Sequence, residues 1–538
     1  MLMPELPIAF GLVAITAASA LAARRLQIAF SIMLVLVGLA LGFMPFMPQV
    51  ALRPDLVLSL LLPPLLYSSG VGMSWRGFKA DLRAILQLAV GCVVFTAAVV
   101  AGVMHWLLGL PLAVGFVLGA VVSPPDAVAP MAIARRHAVP GRILTILEGE
   151  GLVNDATALI LFSFAIAAVM GGAAFSLPKA VGEFLIIVTG EIAWGLGVGW
   201  ASLALRRWAS ETRVEMVISL LTPFAAFWVP EALGGSGVLA TVTCGLFVSW
   251  NGPRFISPAT RLQGFFVWDL VVYLIEGVVF LLTGLQARIV VERLHPGDWS
   301  RVLIASAATC AAIVLVRFFW VFTVTYLPGK LWPAYRARHP GPPWRQVFVV
   351  AFTGIRGVVS LAAALSIPFM AGGTDFPDRD LLLLVTFVVI LVTLVGQGLS
   401  FAWVIKVLGL AQDGEREAQQ AKLKEVAARV KSIDAALARL DQLEGAASAP
   451  ETVAALRRRH EDRRAYFVAA CQDISEGLTA LSSSALQLRF LEAERKSIAD
   501  LYTRGEIGDE ARRRIEREMD LEDSRLRHAA ESGAARLI

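Results

Sequence analysis

The densest run of side chains able to do chemistry in this 538-residue chain is "EGEGLVND", residues 148–155, and the almost uniformly apolar "ATALILFSFAIAAVM" follows it. Glu150 and Asn154 stand four residues apart and share a helix face, whereas Asp155 is rotated by about 100° from Asn154 and addresses a different space. A carboxylate in such surroundings either pairs with a fixed cation or exchanges a proton for a metal ion. The spacing assigns the first task to Glu150, with Asn154 beside it and an intramembrane arginine opposite, and the second to Asp155, facing a water-filled cavity. A purely structural charge network is the competing reading for both. Asp126, Glu276, Arg317 and Arg356 also lie inside apolar stretches. A charge near a bilayer centre costs about 2.5–3.5 kcal/mol or more, so such residues persist where they face partners, water or a substrate path. Glu183, Glu191 and Asp269 read as interfacial or structural.

The elements that must position these groups are membrane helices. The chain is 57% hydrophobic and 17% charged, with a mean hydropathy of +0.68, which excludes an ordinary soluble domain and predicts an all-α polytopic membrane protein. About thirteen apolar spans are expected in residues 1–410. Span 5 is placed at 111–133, span 6 at 143–170, span 10 at 264–287, span 11 at 300–327 and span 12 at 347–370. Arginine and lysine collect after every odd span, as in Arg24 and Arg25, Arg135 and Arg136, Arg206 and Arg207, or Arg336 and Arg338. Positive loops stay cytoplasmic, so the N-terminus is expected outside and the C-terminus inside. "MLMPELP" lacks a basic leader, so span 1 reads as a retained helix.

Span 5 contains "SPPDAVAP", where Pro124, Pro125 and Pro130 cannot continue a regular helix, and Asp126 sits in their midst. Span 12 has its own interruption, "TGIRGVVSLAAALSIP", around Arg356. Non-helical backbone at membrane depth survives only inside protein or along a cavity, where freed carbonyls can bind a cation. The two broken segments lie seven spans apart and run in opposite directions, as an inverted repeat of spans 1–6 and 8–13 would produce. Lys79, Lys179, Lys330 and Lys406 all sit at loops or helix ends, which leaves Arg317 and Arg356 as the buried cations. Arginine stays protonated, so both are fixed partners, and Arg356 is expected to neutralise a buried carboxylate. Proton exchange then falls to Asp155, with Asp126 second. No cofactor and no nucleic acid is called for.

From residue 411 to 538 the composition changes to that of amphipathic solvated helices, a separate helical cytoplasmic tail with 22 basic and 24 acidic residues and a break at "GAASAP". Its Arg457, Arg458 and Arg459 run reads as a solvated face, with contact to anionic lipid as the lesser reading. Cys92, Cys244, Cys310 and Cys471 are scattered and read as packing residues.

Residues 1–410 resemble the monovalent cation:proton antiporters of the NhaP and sodium/hydrogen-exchanger branch, in particular bacterial members with a long tail. "GAVVSPPDAVAP", "EGEGLVNDATALILF", "EGVVFLLTGLQ" and "GIRGVVSLAAALSIP", in that order, carry the resemblance. It implies electroneutral exchange of one cation for one proton, associated in the family with an Asn-Asp pair, here Asn154 and Asp155. It implies that Asp155 binds the cation or the proton with Asp126 beside it, that Glu150 pairs with a buried arginine, and that Arg317, Arg356 and Glu276 complete a charged network. A homodimer with crossed unwound helices and a transport bundle moving as an elevator is implied too. The sequence departs from the family where Pro125 replaces a frequent Thr and Gly151 replaces a Ser whose hydroxyl can ligate the ion. Ser123, Thr157 or water are the candidate substitutes.

The function expected is Na+/H+ antiport by alternating access, for pH and cation homeostasis at the plasma membrane, with Li+ or K+ as possible ions. A K+-specific antiporter or another ion-coupled transporter on the same fold is the alternative. An intramembrane aspartyl enzyme is remote because the Gly-x-Gly-Asp signature is missing. A non-transporting scaffold would not need two broken helices and buried carboxylates.

Overall fold

The computed structural model describes residues 5–45, 53–171, 177–209, 211–292, 299–332, 341–371, 374–444 and 450–476, with scattered residues between 491 and 526. The expected basic residues Arg336 and Arg338 and most of "GAASAP" lie outside the described residues, as does the side chain of Cys471. The chain divides into two compact units, Met1–Ala411 and Gln412–Ile538.

The first unit is nearly all helical. In chain order it contains α1 (Glu5–Leu26), α2 (Phe30–Gly42), α3 (Pro54–Gly72), α4 (Trp75–Ala80), α5 (Leu82–Leu108), α6 (Leu112–Val122), α7 (Val128–Arg136) and α8 (Gly141–Val169). There follow α9 (Leu177–Ala209), α10 (Thr212–Ala232), α11 (Val238–Phe255), α12 (Pro258–Glu292), α13 (Trp299–Leu331), α14 (Trp344–Phe352), α15 (Val358–Leu365) and α16 (Arg379–Leu408). A two-residue antiparallel pair, Met370–Ala371 with Thr374–Asp375, precedes α16. Eight of these helices are long and apolar enough to cross a membrane, and α2 and α6 are shorter apolar helices. The remaining expected spans correspond to α1, α11 and the two interrupted pairs α6/α7 and α14/α15.

Small residues let backbones approach where lipid offers no hydrophobic drive between helices. A Cβ on Gly38 of α2 would fall onto the Leu281 carbonyl of α12, and one on Gly70 of α3 would stand 3.0 Å from the Val242 carbonyl of α11. Both helix pairs are therefore in close backbone contact; alanine at Gly38 would force the helices apart, and at Gly70 it would press on the partner backbone.

Among the described residues three helices contain a π-helical turn: Val57–Leu61 in α3, Gln87–Cys92 in α5 and Val392–Gln397 in α16. Such a turn leaves a carbonyl outside the regular ladder, and tryptophans take up two of them. The Trp228 indole donates to Ser59 O (2.8 Å) and the Trp320 indole to Gln87 O (2.9 Å). In the third turn the Thr393 hydroxyl accepts from the backbone N–H of Arg356 (3.0 Å).

Glu191, read from sequence as interfacial or structural, is buried in α9 and serves the start of α11. Its carboxylate accepts from the backbone N–H groups of Ser236, Gly237, Leu239 and Ala240. These are the unpaired donors of a helix N-terminus, where a negative charge is also favoured by the dipole.

α8 is the central helix, packed against α3, α5, α6, α7, α11, α14 and α15. Ile143 and Leu147 in its N-terminal half belong to one apolar core with side chains of α2, α7, α12, α14 and α16. In the second unit α18 (Pro450–Glu476) runs antiparallel to α17 (Leu410–Glu444), held by Arg464 to Asp434 and Arg457 to Asp441, both 2.6 Å. The described cysteines Cys92, Cys244 and Cys310 are free.

Candidate functional site

The helix breaks occur where the sequence forbids a regular ladder. Pro124 and Pro125 end α6 after Val122, and the chain resumes as α7 at Val128. α14 stops at Phe352 and α15 starts at Val358, around Gly354 and Gly357. The two breaks meet: the Asp126 N–H donates to Ile355 O at 2.7 Å.

Two helix C-termini and two helix N-termini converge there, and the charged side chains sort between them. Arg356 lies with the C-termini: Nε donates to Val122 O (2.7 Å), Nη2 to Ser123 O (3.3 Å) and Nη1 to Gly354 O. These are the carbonyls left over at the ends of α6 and α14, where the helix dipole also favours a cation. Asp126 lies with the N-termini. Its Oδ1 accepts from Val128 N–H at the start of α7 (2.9 Å), and its carboxyl lies against Gly357, the residue that precedes α15. A Cβ on Gly357 would fall 2.6 Å from the Asp126 Cγ. Only glycine leaves the carboxylate its place.

α8 presents its polar groups in three directions. Glu150 meets Arg317 of α13 in a two-pronged pair, Oε1 to Nη1 at 2.6 Å and Oε2 to Nη2 at 2.9 Å, each side chain 2% exposed. Arg317 also donates to Val350 O near the end of α14. Asn154 points into the first helix break, where its Nδ2 donates to Pro125 O at 2.6 Å. Asp155 opens onto a cavity of about 950 Å³, shared with Asp126, Glu276 and Gly151. The cavity lies between α7, α8 and the start of α15 on one side and α3, α11 and α12 on the other. Arg135 and Glu148, 3.7 Å apart, flank it at one end of α8.

Several expectations change. Arg356 does not neutralise a carboxylate: Glu150 is taken by Arg317, and the Arg356 guanidinium is spent on backbone carbonyls, because the broken helices generate more unpaired acceptors than the local chain can satisfy. Glu276 has no ion pair among the described residues and stands on the cavity wall instead of in an arginine network. Ser123 and Thr157 are buried away from the cavity, their hydroxyls donated to Ala120 O (3.1 Å) and Val153 O (3.4 Å) of their own segments. Arg317 and Arg356 are not the sole buried cations. Arg206, read as a loop residue, is inside α9, 3% exposed, and donates to the Tyr67 hydroxyl at 3.0 Å. Arg379 is buried at the start of α16 and donates to Ile367 O at 2.9 Å. Both lie within a turn of a helix end, where sequence alone cannot separate a buried cation from a loop charge.

The sequence pattern of a sodium/hydrogen exchanger, transmembrane region, matches residues 11–407. An uncharacterized Na(+)/H(+) exchanger of Mycobacterium bovis is 33% identical, with 97% of each chain covered. The Na(+)/H(+) antiporter ApNhaP of Aphanothece halophytica is 31% identical over 77% of this chain and 76% of its own. Among solved structures, the sodium proton antiporter MjNhaP1 from Methanocaldococcus jannaschii superposes with a TM-score of 0.60 at 18% identity, covering 75% of this chain and all of that one. That likeness is one of fold.

Proposed function

Because this chain belongs to the sodium/hydrogen exchanger family, and is thus a multi-pass membrane antiporter, we propose that it exchanges one sodium ion for one proton across the plasma membrane with Asp155 as the carrier. The observation that carries this reading is the division of labour on α8. Glu150 and Asn154 are committed to protein partners, while Asp155 opens onto the cavity with Asp126 beside it.

A single carboxylate that holds either one proton or one monovalent cation is neutral in both loaded forms, and a neutral carrier crosses a low-dielectric barrier where the empty anion does not. Tight coupling and electroneutral exchange follow from that inequality. Asp126 supplies a second oxygen site, fixed by Val128 N–H. Li+ and K+ are alternative cargo, and a K+-specific exchange on the same site is the second reading.

Thirteen membrane spans in two inverted halves cross at the breaks around Asp126 and Arg356, and the carrier bundle alternates access by moving against a dimerising scaffold embedded in lipid. Residues 1–410 form the transport domain and 411–538 a cytoplasmic regulatory tail. The cavity reaches Arg135 and Arg261, residues that follow odd spans, so with positive loops inside it faces the cytoplasm. The physiological role is pH and cation homeostasis.

The test is exchange in liposomes loaded with a pH-sensitive dye. Sodium should dissipate an imposed proton gradient with no dependence on membrane potential, and Asp155→Asn should abolish this while the protein still inserts and assembles. Exchange at the native rate in Asp155→Asn would remove Asp155 from the carrier role.

A further inference from the structure

The hydroxyl that the family resemblance implies at position 151 is absent here, and the structure shows why it cannot simply be restored. A Cβ at Gly151 would lie 2.7 Å from the Cβ of Ala127 in the first helix break. Pro125 has no hydroxyl, and Ser123 and Thr157 donate theirs to their own backbone outside the cavity. Several hydroxyls line the cavity shared by Asp155 and Asp126, among them those of Ser68, Ser219, Ser249 and Thr260 on the facing helices, and that of Ser360 belongs to the second helix break. Ser360 lies in the first turn of α15, three residues after Gly357, against which the Asp126 carboxyl packs. The residue is 2% exposed. Its oxygen makes no hydrogen bond to another described residue and is not sealed off from open space. The accessible surface it keeps therefore belongs to the cavity.

We propose that Ser360 of the second broken helix supplies the neutral oxygen ligand of the transported cation, in place of the hydroxyl missing at Gly151, and thereby tunes which ion is carried. The proposal rests on the antiport reading above. Small monovalent cations are hard and take oxygen ligands, and a cation that gives up water must recover oxygen contacts from the site. Two carboxylates supply charge, and the number of further oxygen ligands then weighs in how the dehydration of each ion is offset. A buried hydroxyl held on a helix start adds a ligand at a fixed place, and that favours ions with the costliest dehydration, in the order Li+, Na+, K+. Because the ligand comes from α15 and the carboxylates from α8 and the first break, cation binding ties the two breaks together.

The experiment compares the native protein with Ser360→Ala, Ser360→Thr and Ser360→Cys in liposomes, reading KM and maximal rate for Li+, Na+ and K+. Loss of one charge–dipole contact corresponds to about a tenfold change in affinity. Ser360→Ala should raise KM for Li+ and Na+ by about that factor and for K+ by much less, with the maximal rate kept. Ser360→Thr retains the hydroxyl and should keep the native order of preference among Li+, Na+ and K+, whatever the added methyl does to the rate. Ser360→Cys preserves the volume while exchanging hard oxygen for soft sulfur, so it should lose Li+ most, and it provides the reading if the alanine form does not assemble. Native exchange with unchanged KM for all three ions in the alanine or cysteine form overturns the Ser360 assignment and leaves the antiporter standing. A native protein that exchanges none of the three cations removes the antiport reading itself, and the ligand assignment with it.

Discussion

The residues of α8 differ in what they can lose. Glu150 and Arg317 are both almost fully buried and pair through two hydrogen bonds. Removing one partner strands a charge, and breaking such a pair costs about 3–5 kcal/mol. Arg317→Ala is accordingly expected to lower detergent-solubilised thermal stability severely, and the double variant Arg317→Met with Glu150→Leu to recover much of it; a double variant as unstable as the single one would contradict the ion-pair account. Asp155 behaves in the opposite way. It serves the cavity and not the packing, so Asp155→Asn is expected to keep the native melting temperature while losing exchange, and a destabilised Asp155→Asn protein would count against its role as carrier.

At the scale of elements, the crossing of the two helix breaks is a problem of unpaired backbone groups. Arg356 answers it by donating to the ends of α6 and α14, and its planar fork reaches three carbonyls that an ammonium could not serve together. Arg356→Lys should therefore keep the charge and still lose assembly or stability, whereas a carboxylate partner would tolerate lysine far better; a stable, active Arg356→Lys protein would refute the backbone role. Gly357→Ala makes a complementary prediction. Its Cβ would overlap the Asp126 carboxyl, so exchange should fall steeply while Glu150, Arg317 and Arg356 hold the bundle together. Native KM and rate in that variant would show that Asp126 has room the structure does not give it. The π-turns tell the same story on a smaller scale, since Trp228 and Trp320 each satisfy a carbonyl that a regular helix would have used internally.

For the whole molecule, the cavity has a direction. With Arg261 at its mouth, a cysteine introduced there in a background lacking the four native cysteines should react with a membrane-impermeant thiol reagent from the cytoplasmic side alone; labelling from outside would reverse the topology. What the sequence determined by itself was the solvent and the local geometry. Apolar runs at membrane length, Pro and Gly at membrane depth, and the 100° turn between Asn154 and Asp155 follow from local geometry, so the membrane helices, the two breaks and the separation of Glu150 from Asp155 were legible without coordinates. Pairing was not, because it joins residues far apart in the chain: Glu150 meets Arg317 across 167 positions, and Arg356 meets Val122 across 234. Only tertiary structure decided that Arg356 serves carbonyls instead of a carboxylate, that Arg206 is buried, and that Ser360 and not Ser123 or Thr157 faces the cavity. The physical reason is that a hydroxyl or a guanidinium looks the same in sequence whether its donors are spent on its own helix, on a distant chain end, or on open space.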